Sequence, residues 1–278
     1  MLDPATPAHL DPSALGTKEY WDTLYEKELS NHADNPSDEG TVWFDDSDAE
    51  NKIVSFLDEH AESDFGLDRD TARVLDLGCG NGSLLFALRD DGWRGALLGV
   101  DYSERSVELA RRVGVSRGLA VGDQEEEERE VDFKVWDVLS GPLSDVLAST
   151  TTTTTTETTG GEGSDEASET AAGWDLVLDK GTFDAVSLSG ERDAQGRRIC
   201  EGYGERVLQL LRKRGIFLVT SCNWTEAELR EWFESKTQAP ESGARLRLAS
   251  RIEYPSFSFG GVKGQTISTL CFEKVGGR

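Results

Sequence analysis

The residues best placed to do chemistry are four aspartates and a run of glycines. Asp76 lies in the stretch Val74 to Ser83, VLDLGCGNGS, just ahead of Gly78, Gly80 and Gly82. A strand, a glycine-rich turn and a helix in succession let a ligand come close to backbone, because glycine accepts positive φ and has no Cβ in the way. Such a turn alone could serve a dinucleotide. The Asp76 carboxylate changes that expectation, since it would repel a pyrophosphate and attract a cation. S-adenosylmethionine (SAM) has no phosphate and carries a sulfonium and an ammonium, so the turn favours SAM over a nicotinamide dinucleotide. Asp101, at the end of the next strand, can accept hydrogen bonds from both ribose hydroxyls, with Tyr102 beside it as a further cofactor contact. Asp137, at the end of a third strand, can accept from the adenine amino group. Asp179 ends a fourth strand, where the methyl donor should lie, and is the candidate catalytic residue: it would orient an acceptor amine or hold the methionine ammonium.

Acids at successive strand ends require a parallel sheet, and the hydrophobic pattern supplies one. Strand and helix signals alternate from Arg73 to Thr220: strands over 73–77, 96–101, 131–137, 174–179 and 216–220, with helices opening at Ser83 and Ser103 and a later one ending near Arg214-Gly215. This alternation implies a doubly wound α/β sheet covered by helices on both faces. Two helices precede it. Thr17 is a plausible cap for one carrying Tyr20, Trp21, Leu24, Tyr25 and Leu29 on one face. Ser47 to Glu50 reads as a capping box opening a second, which buries Ile53, Val54 and Leu57. Beyond Thr220 a further capping box, Thr225 to Glu228, has Trp224 and Leu229 placed as a hydrophobic staple. Two β-segments, 245–254 and 266–274, then suggest a closing antiparallel hairpin.

The 278 residues carry a net charge of -24. Two acidic stretches, 122–130 and 157–169, supply ten of those charges. A run of threonines at 150–156 lies inside a low-complexity insert over 140–173 that cannot furnish a core. Residues 1–14, with Pro4, Pro7 and Pro12 and no lysine or arginine, read as a disordered tail and not as a signal peptide or membrane span. A single domain over 15–278, interrupted by inserts at about 122–130 and 140–173, is the simplest organisation. The acidic body argues against a nucleic-acid partner, which demands a basic face, and suits a basic protein. Cys79, Cys200, Cys222 and Cys271 are far apart, with no spacing for zinc or a disulfide framework. They suggest free thiols in a reducing compartment.

The first motif resembles that of the class I, seven-strand SAM-dependent methyltransferases. More particular are Leu15 to Trp21 (LGTKEYW), Val42 to Phe44 (VWF), Asp179 to Ala185 (DKGTFDA), Thr220 to Thr225 (TSCNWT) and Phe257 to Gly261 (FSFGG). Together they resemble the lysine methyltransferases of translation elongation factor 1-alpha, known in fungi as elongation factor methyltransferase 4, from about Leu15 to Lys274. The resemblance implies a protein lysine acceptor on elongation factor 1-alpha, SAM as cofactor, no metal, no membrane, a cytoplasmic location and a monomer. Carried over by position, Trp21, Asp76, Gly78, Asp101, Asp137 and Asp179 would surround the cofactor, with Gly80 in the same turn. The acidic and threonine-rich inserts are the main departures from the family.

A lysine acceptor sets its own demand, because the attacking amine must be neutral. Neutralising a free lysine at pH 7 costs about 4.6 kcal/mol, and both a nearby sulfonium and desolvation lower that cost. Trp43, Phe44, Phe183, Trp224, Phe257 and Phe259 are candidates to line an aromatic lysine channel through cation–π contacts, and Asn223 could bond the substrate or the backbone. DKGT stands where many adenine and glutamine methyltransferases carry (N/D)PPY, which weighs against those acceptors. The residues leave two other readings open: methylation of another protein or a small molecule, and a SAM-fold binding module without turnover.

Overall fold

In the computed structural model, the described residues are 9–119, 130–147, 173–239, 243–259 and 262–277. The acidic stretch around 122–129 and the threonine run lie outside them, as do residues 1–8. Helices α1 (Lys18–Asp34) and α2 (Ala49–His60) come first. The alternating body follows: β1 (Val74–Leu77), α3 (Ser83–Asp90), β2 (Leu97–Asp101), α4 (Glu104–Ser116), β3 (Asp132–Val135), β4 (Trp174–Lys180), α5 (Thr182–Ser187), α6 (Tyr203–Leu210) and β5 (Leu211–Ser221). The chain closes with α7 (Glu226–Arg230), β6 (Gln238–Ala239), β7 (Ala244–Ile252), β8 (Ser256–Phe259), β9 (Val262–Gln265) and β10 (Ser268–Val275).

The main sheet runs β3-β2-β1-β4-β5-β10-β7-β6. Strands β3, β2, β1, β4 and β5 are parallel, and β10 and β7 pair antiparallel. This is the expected seven-strand architecture, extended at one edge by the two-residue β6. Strand order reverses between β1 and β4, and a crevice opens at the carboxyl ends of strands on either side of such a switch point. Two apolar clusters flank the sheet. One holds Val74, Phe86, Trp93, Val107 and the α2 residues Ile53 and Leu57; the other holds Leu75, Val177, Phe183, Tyr203, Phe217 and Phe233. The β1 strand is buried throughout, with Val74 in the first cluster and Leu75 in the second, as the pleat requires.

Local chemistry accounts for most boundaries. Thr17 caps α1 by accepting from Tyr20 N, and Thr225 and Glu228 form the reciprocal box at α7. The box expected at α2 does not form, because Glu50 is drawn away to Ser83 and Lys180. The helix expected to end near Arg214 stops at Leu210. Leu211 already pairs with Trp174, and the residues up to Ile216 are taken up in a bulge where Arg214 adopts a φ of 62°. At the C-terminus β7 and β10 pair as expected, but β10 inserts between β5 and β7, and the intervening segment forms its own β8-β9 ladder instead of a simple turn. Within the stretch expected as a tail, residues 9–14 lie against the body. Leu10 packs on the second cluster, Arg198 donates to its carbonyl, and Ser13 N donates to Leu188 O.

Candidate active site

The glycine turn is bolted to the neighbouring strand. Gly78 N and Cys79 N both donate to Val100 O, at 2.7 and 3.0 Å. Gly80 N donates to Asp101 Oδ2 at 3.3 Å, and Ser106 Oγ bridges Gly80 O and Asp101 Oδ2 at 2.8 and 2.9 Å. Ser103 N donates to Asp101 Oδ1 at 2.9 Å, so one buried carboxylate joins the turn to the start of α4. Gly78 has a φ of +65°, and a Cβ there would stand 2.1 Å from Thr182 Oγ1. At Gly80, φ +57°, a Cβ would stand 2.9 Å from the Tyr25 hydroxyl. Both positions require glycine for conformation and for space.

Helix α1 and the segment after it cover this edge. Asp22 accepts from Ser103 Oγ at 2.7 Å, which sets the first turn of α1 against the start of α4. Lys18 pairs with Asp22 and lies over the half-buried Tyr102 ring. Trp21 donates from Nε1 to Leu15 O at 2.7 Å and meets Trp43 edge-on, with centroids 5.3 Å apart. Trp21, Trp43 and Phe44 are all partly exposed. They form the aromatic rim of the edge.

Electrostatically the edge is made for a cation. Burial pushes the Asp76 carboxyl well above the usual range, and Glu50, Asp179 and Asp101 push it the same way; Lys180 alone among its strong partners opposes them. Asp101 is raised by burial against the hydrogen bonds from Ser103, Ser106 and Gly80. Several acids facing one lysine leave a deficit of positive charge in a low-dielectric crevice, which a sulfonium and an ammonium would fill and a pyrophosphate would worsen. The donor set therefore fits SAM. Among the described residues no group of acids, histidines and cysteines is arranged to hold a metal ion.

Several sequence expectations change here. Asp179 is buried at 1% exposure. Its carboxylate accepts from Thr182 N at 2.8 Å, Phe183 N at 3.0 Å and the Tyr203 hydroxyl at 2.6 Å. Burial raises it to about 7, with the Tyr203 and Phe183 bonds holding it back. This acid stands ahead of α5, and its carboxylate is engaged by the chain around it. Phe183 and Trp224, at 1% and 4% exposure, pack with Trp232 and Phe233 in the second cluster. Burying their large apolar surface outweighs any cation–π contact they would offer. Asn223 is exposed just past β5, its N–H donating to Ser221 Oγ. Asp137 lies two residues beyond β3, where it accepts from Leu139 N and Ser140 Oγ at 2.8 and 2.6 Å. Phe257 and Phe259 sit in β8 opposite Gly264 and Val262; their side chains lie outside what is described.

Sequence reasoning missed Asp184 and, having read Glu50 only as a capping residue, missed its pairing with Lys180. Buried Asp184 accepts from Ser221 Oγ and from Cys222 N at 2.8 Å, fixing the loop after β5. Glu50 accepts from Ser83 Oγ at 2.5 Å and pairs with Lys180 at 3.3 Å. The available signal was an acid and a base inside otherwise apolar strand and helix starts.

The doubly wound sheet, the acid ahead of the glycine turn and the acid ending β2 define a class I SAM-dependent methyltransferase. A methyltransferase-domain family model matches residues 68–151. Among solved structures, magnesium protoporphyrin IX methyltransferase from Synechocystis with bound SAM superposes with a TM-score of 0.52 at 16% identity, covering 96% of this chain and 99% of that one, a likeness of fold alone. The protein-lysine N-methyltransferase EFM4 of Saccharomyces cerevisiae is 38% identical over 96% of this chain and 97% of its own length. Its Schizosaccharomyces pombe counterpart is 36% identical over 95% of each. Human EEF1A lysine methyltransferase 2 is 30% identical over 95% of this chain and 88% of that protein. The chain belongs to this family of protein-lysine N-methyltransferases.

Proposed function

We propose that this chain transfers a methyl group from SAM to a lysine of translation elongation factor 1-alpha, acting as a monomer in the cytoplasm. The observation that carries the reading is the near full-length similarity to EFM4, 38% identical over 96% of this chain. SAM supplies the electrophilic methyl. Asp101 would accept from the ribose hydroxyls with Tyr102 beside it, Asp137 from the adenine amino group, and Asp76 with Gly78, Gly80 and Trp21 would hold the methionine end. Trp43, Phe44 and Asn223 would meet the lysine side chain. The site needs no dedicated base: desolvation and a neighbouring positive charge both favour the neutral amine, and alignment of nitrogen, methyl and sulfur does the rest. The acidic surface suits a basic protein partner and disfavours nucleic acid. Among the described residues no helix is long and apolar enough to cross a membrane.

Incubation with labelled SAM and a lysate from cells lacking this enzyme tests the proposal. The label is expected on a lysine of elongation factor 1-alpha, identified by mass spectrometry. Label confined to nucleic acid, metabolites or other proteins would overturn it.

A further inference from the structure

The segment between α1 and α2 is held in a costly conformation. Phe44 and Asp48 both have left-handed backbones, with φ of 65° and 56°, and neither is glycine. Such residues persist only where their surroundings over-determine them, and they gather at functional sites. The Lys180-Gly181 dipeptide at the end of β4 supplies the restraint. Lys180 Nζ donates to Trp43 O at 3.1 Å, and the Phe44 ring lies so close to Gly181 that a Cβ there would stand 3.2 Å from it. Lys180 in turn is anchored: its side chain is 12% exposed and lies 3.3 Å from Glu50 Oε1. Glu50 Oε1 also takes the Ser83 hydroxyl at 2.5 Å, at the start of the helix that follows the glycine turn. One chain of contacts thus runs from that helix through Glu50 and Lys180 to the rim.

We infer that Lys180, held by Glu50, is a positioning residue that fixes the Trp43-Phe44 rim over the end of β4 and so sets access of the acceptor. This rests on the proposed protein-lysine activity only for its kinetic consequence. The ammonium is the useful part, because it satisfies the Trp43 carbonyl and a half-buried carboxylate at once, and a partly buried ion pair that loses one member leaves the other uncompensated.

The test compares Lys180→Met, Lys180→Arg and Glu50→Gln in the full chain. With elongation factor 1-alpha as acceptor and SAM saturating, Lys180→Met should raise the acceptor KM about tenfold or more, a larger change than any weakening of the SAM Kd measured by calorimetry. Lys180→Arg should recover most of the loss, and the Lys180→Met/Glu50→Gln double variant should be no worse than Lys180→Met by more than twofold, since the two act through one contact. Amide exchange read by mass spectrometry should be at least tenfold faster over 41–48 in Lys180→Met and unchanged over 74–82. If Lys180→Met does not fold, Glu50→Gln carries the same expectations at smaller amplitude. Unchanged exchange over 41–48, or a SAM Kd that weakens as much as the acceptor KM, would overturn the inference. Failure of the wild-type protein to methylate elongation factor 1-alpha would instead overturn the proposed function, and the exchange measurement would still decide the role of Lys180.

Discussion

Two groups of aromatic residues flank β4, and they do different work. Trp21, Trp43 and Phe44 stand half-exposed at the carboxyl edge of the sheet, held through backbone contacts and a lysine–glutamate pair. Phe183, Trp224, Trp232 and Phe233 are buried together on the other side, ring against ring. Composition makes the groups alike; burial separates them. On the proposed function, changes in the first are expected to cost recognition and changes in the second to cost folding. The same division runs through the DKGT sequence: Asp179 stands ahead of α5, Thr182 donates to Leu77 O at 2.6 Å and fills the space beside Gly78, and Lys180 with Gly181 reaches out to the rim.

The largest effect expected from breaking this contrast is at Phe183. Replacement by alanine empties a fully buried ring site and should cost about 3–5 kcal/mol of stability, measured by urea denaturation; a loss under about 1 kcal/mol would place the ring outside the core. Next is Asp101→Ala, which removes the junction of the turn and α4 together with the proposed ribose acceptor. It should weaken SAM binding at least tenfold by calorimetry, and unchanged affinity would refute that assignment. A smaller effect concerns pH. Because the folded Asp179 carboxyl titrates near 7, above its unfolded value, its protonated form is favoured by folding. The stability it contributes is full below about pH 4 and is lost as pH rises through 7. Asp179→Asn cannot ionise, so the stability of wild type relative to this variant should fall between pH 5 and pH 8; a constant difference would contradict the burial assigned to Asp179.

Much of the fold was legible because periodicity reports it directly. The parallel body of the sheet follows from alternating elements, and Thr17 and the Thr225–Glu228 box cap as their spacing implies. The cofactor edge was legible through charge, since an acid ahead of a glycine turn speaks for a cationic ligand. The acceptor side was not. Nothing in the sequence separates a ring at the rim from one in the core: Phe183 and Phe44 both stand beside glycine-containing turns, and only the packing of α7 and the following turn over Phe183 distinguishes them. Asp179 carries a related ambiguity. An acid at a strand end can bind a ligand or start the next helix, and Tyr203, 24 positions away, takes part in deciding the outcome. Glu50 offered a capping pattern on paper, but a lysine far along the chain won its carboxylate.

The contrast is tested most directly by measuring two tryptophan variants side by side, with acceptor KM on elongation factor 1-alpha and urea denaturation as paired readouts. Trp43→Ala is expected to raise the KM about tenfold and to leave stability within about 1 kcal/mol. Trp224→Leu is expected to lower stability by about 2 kcal/mol or more while the folded fraction keeps its KM. Equal loss of stability in both variants, or a KM that moves only in Trp224→Leu, would contradict the division between an aromatic rim that recognises and an aromatic core that supports.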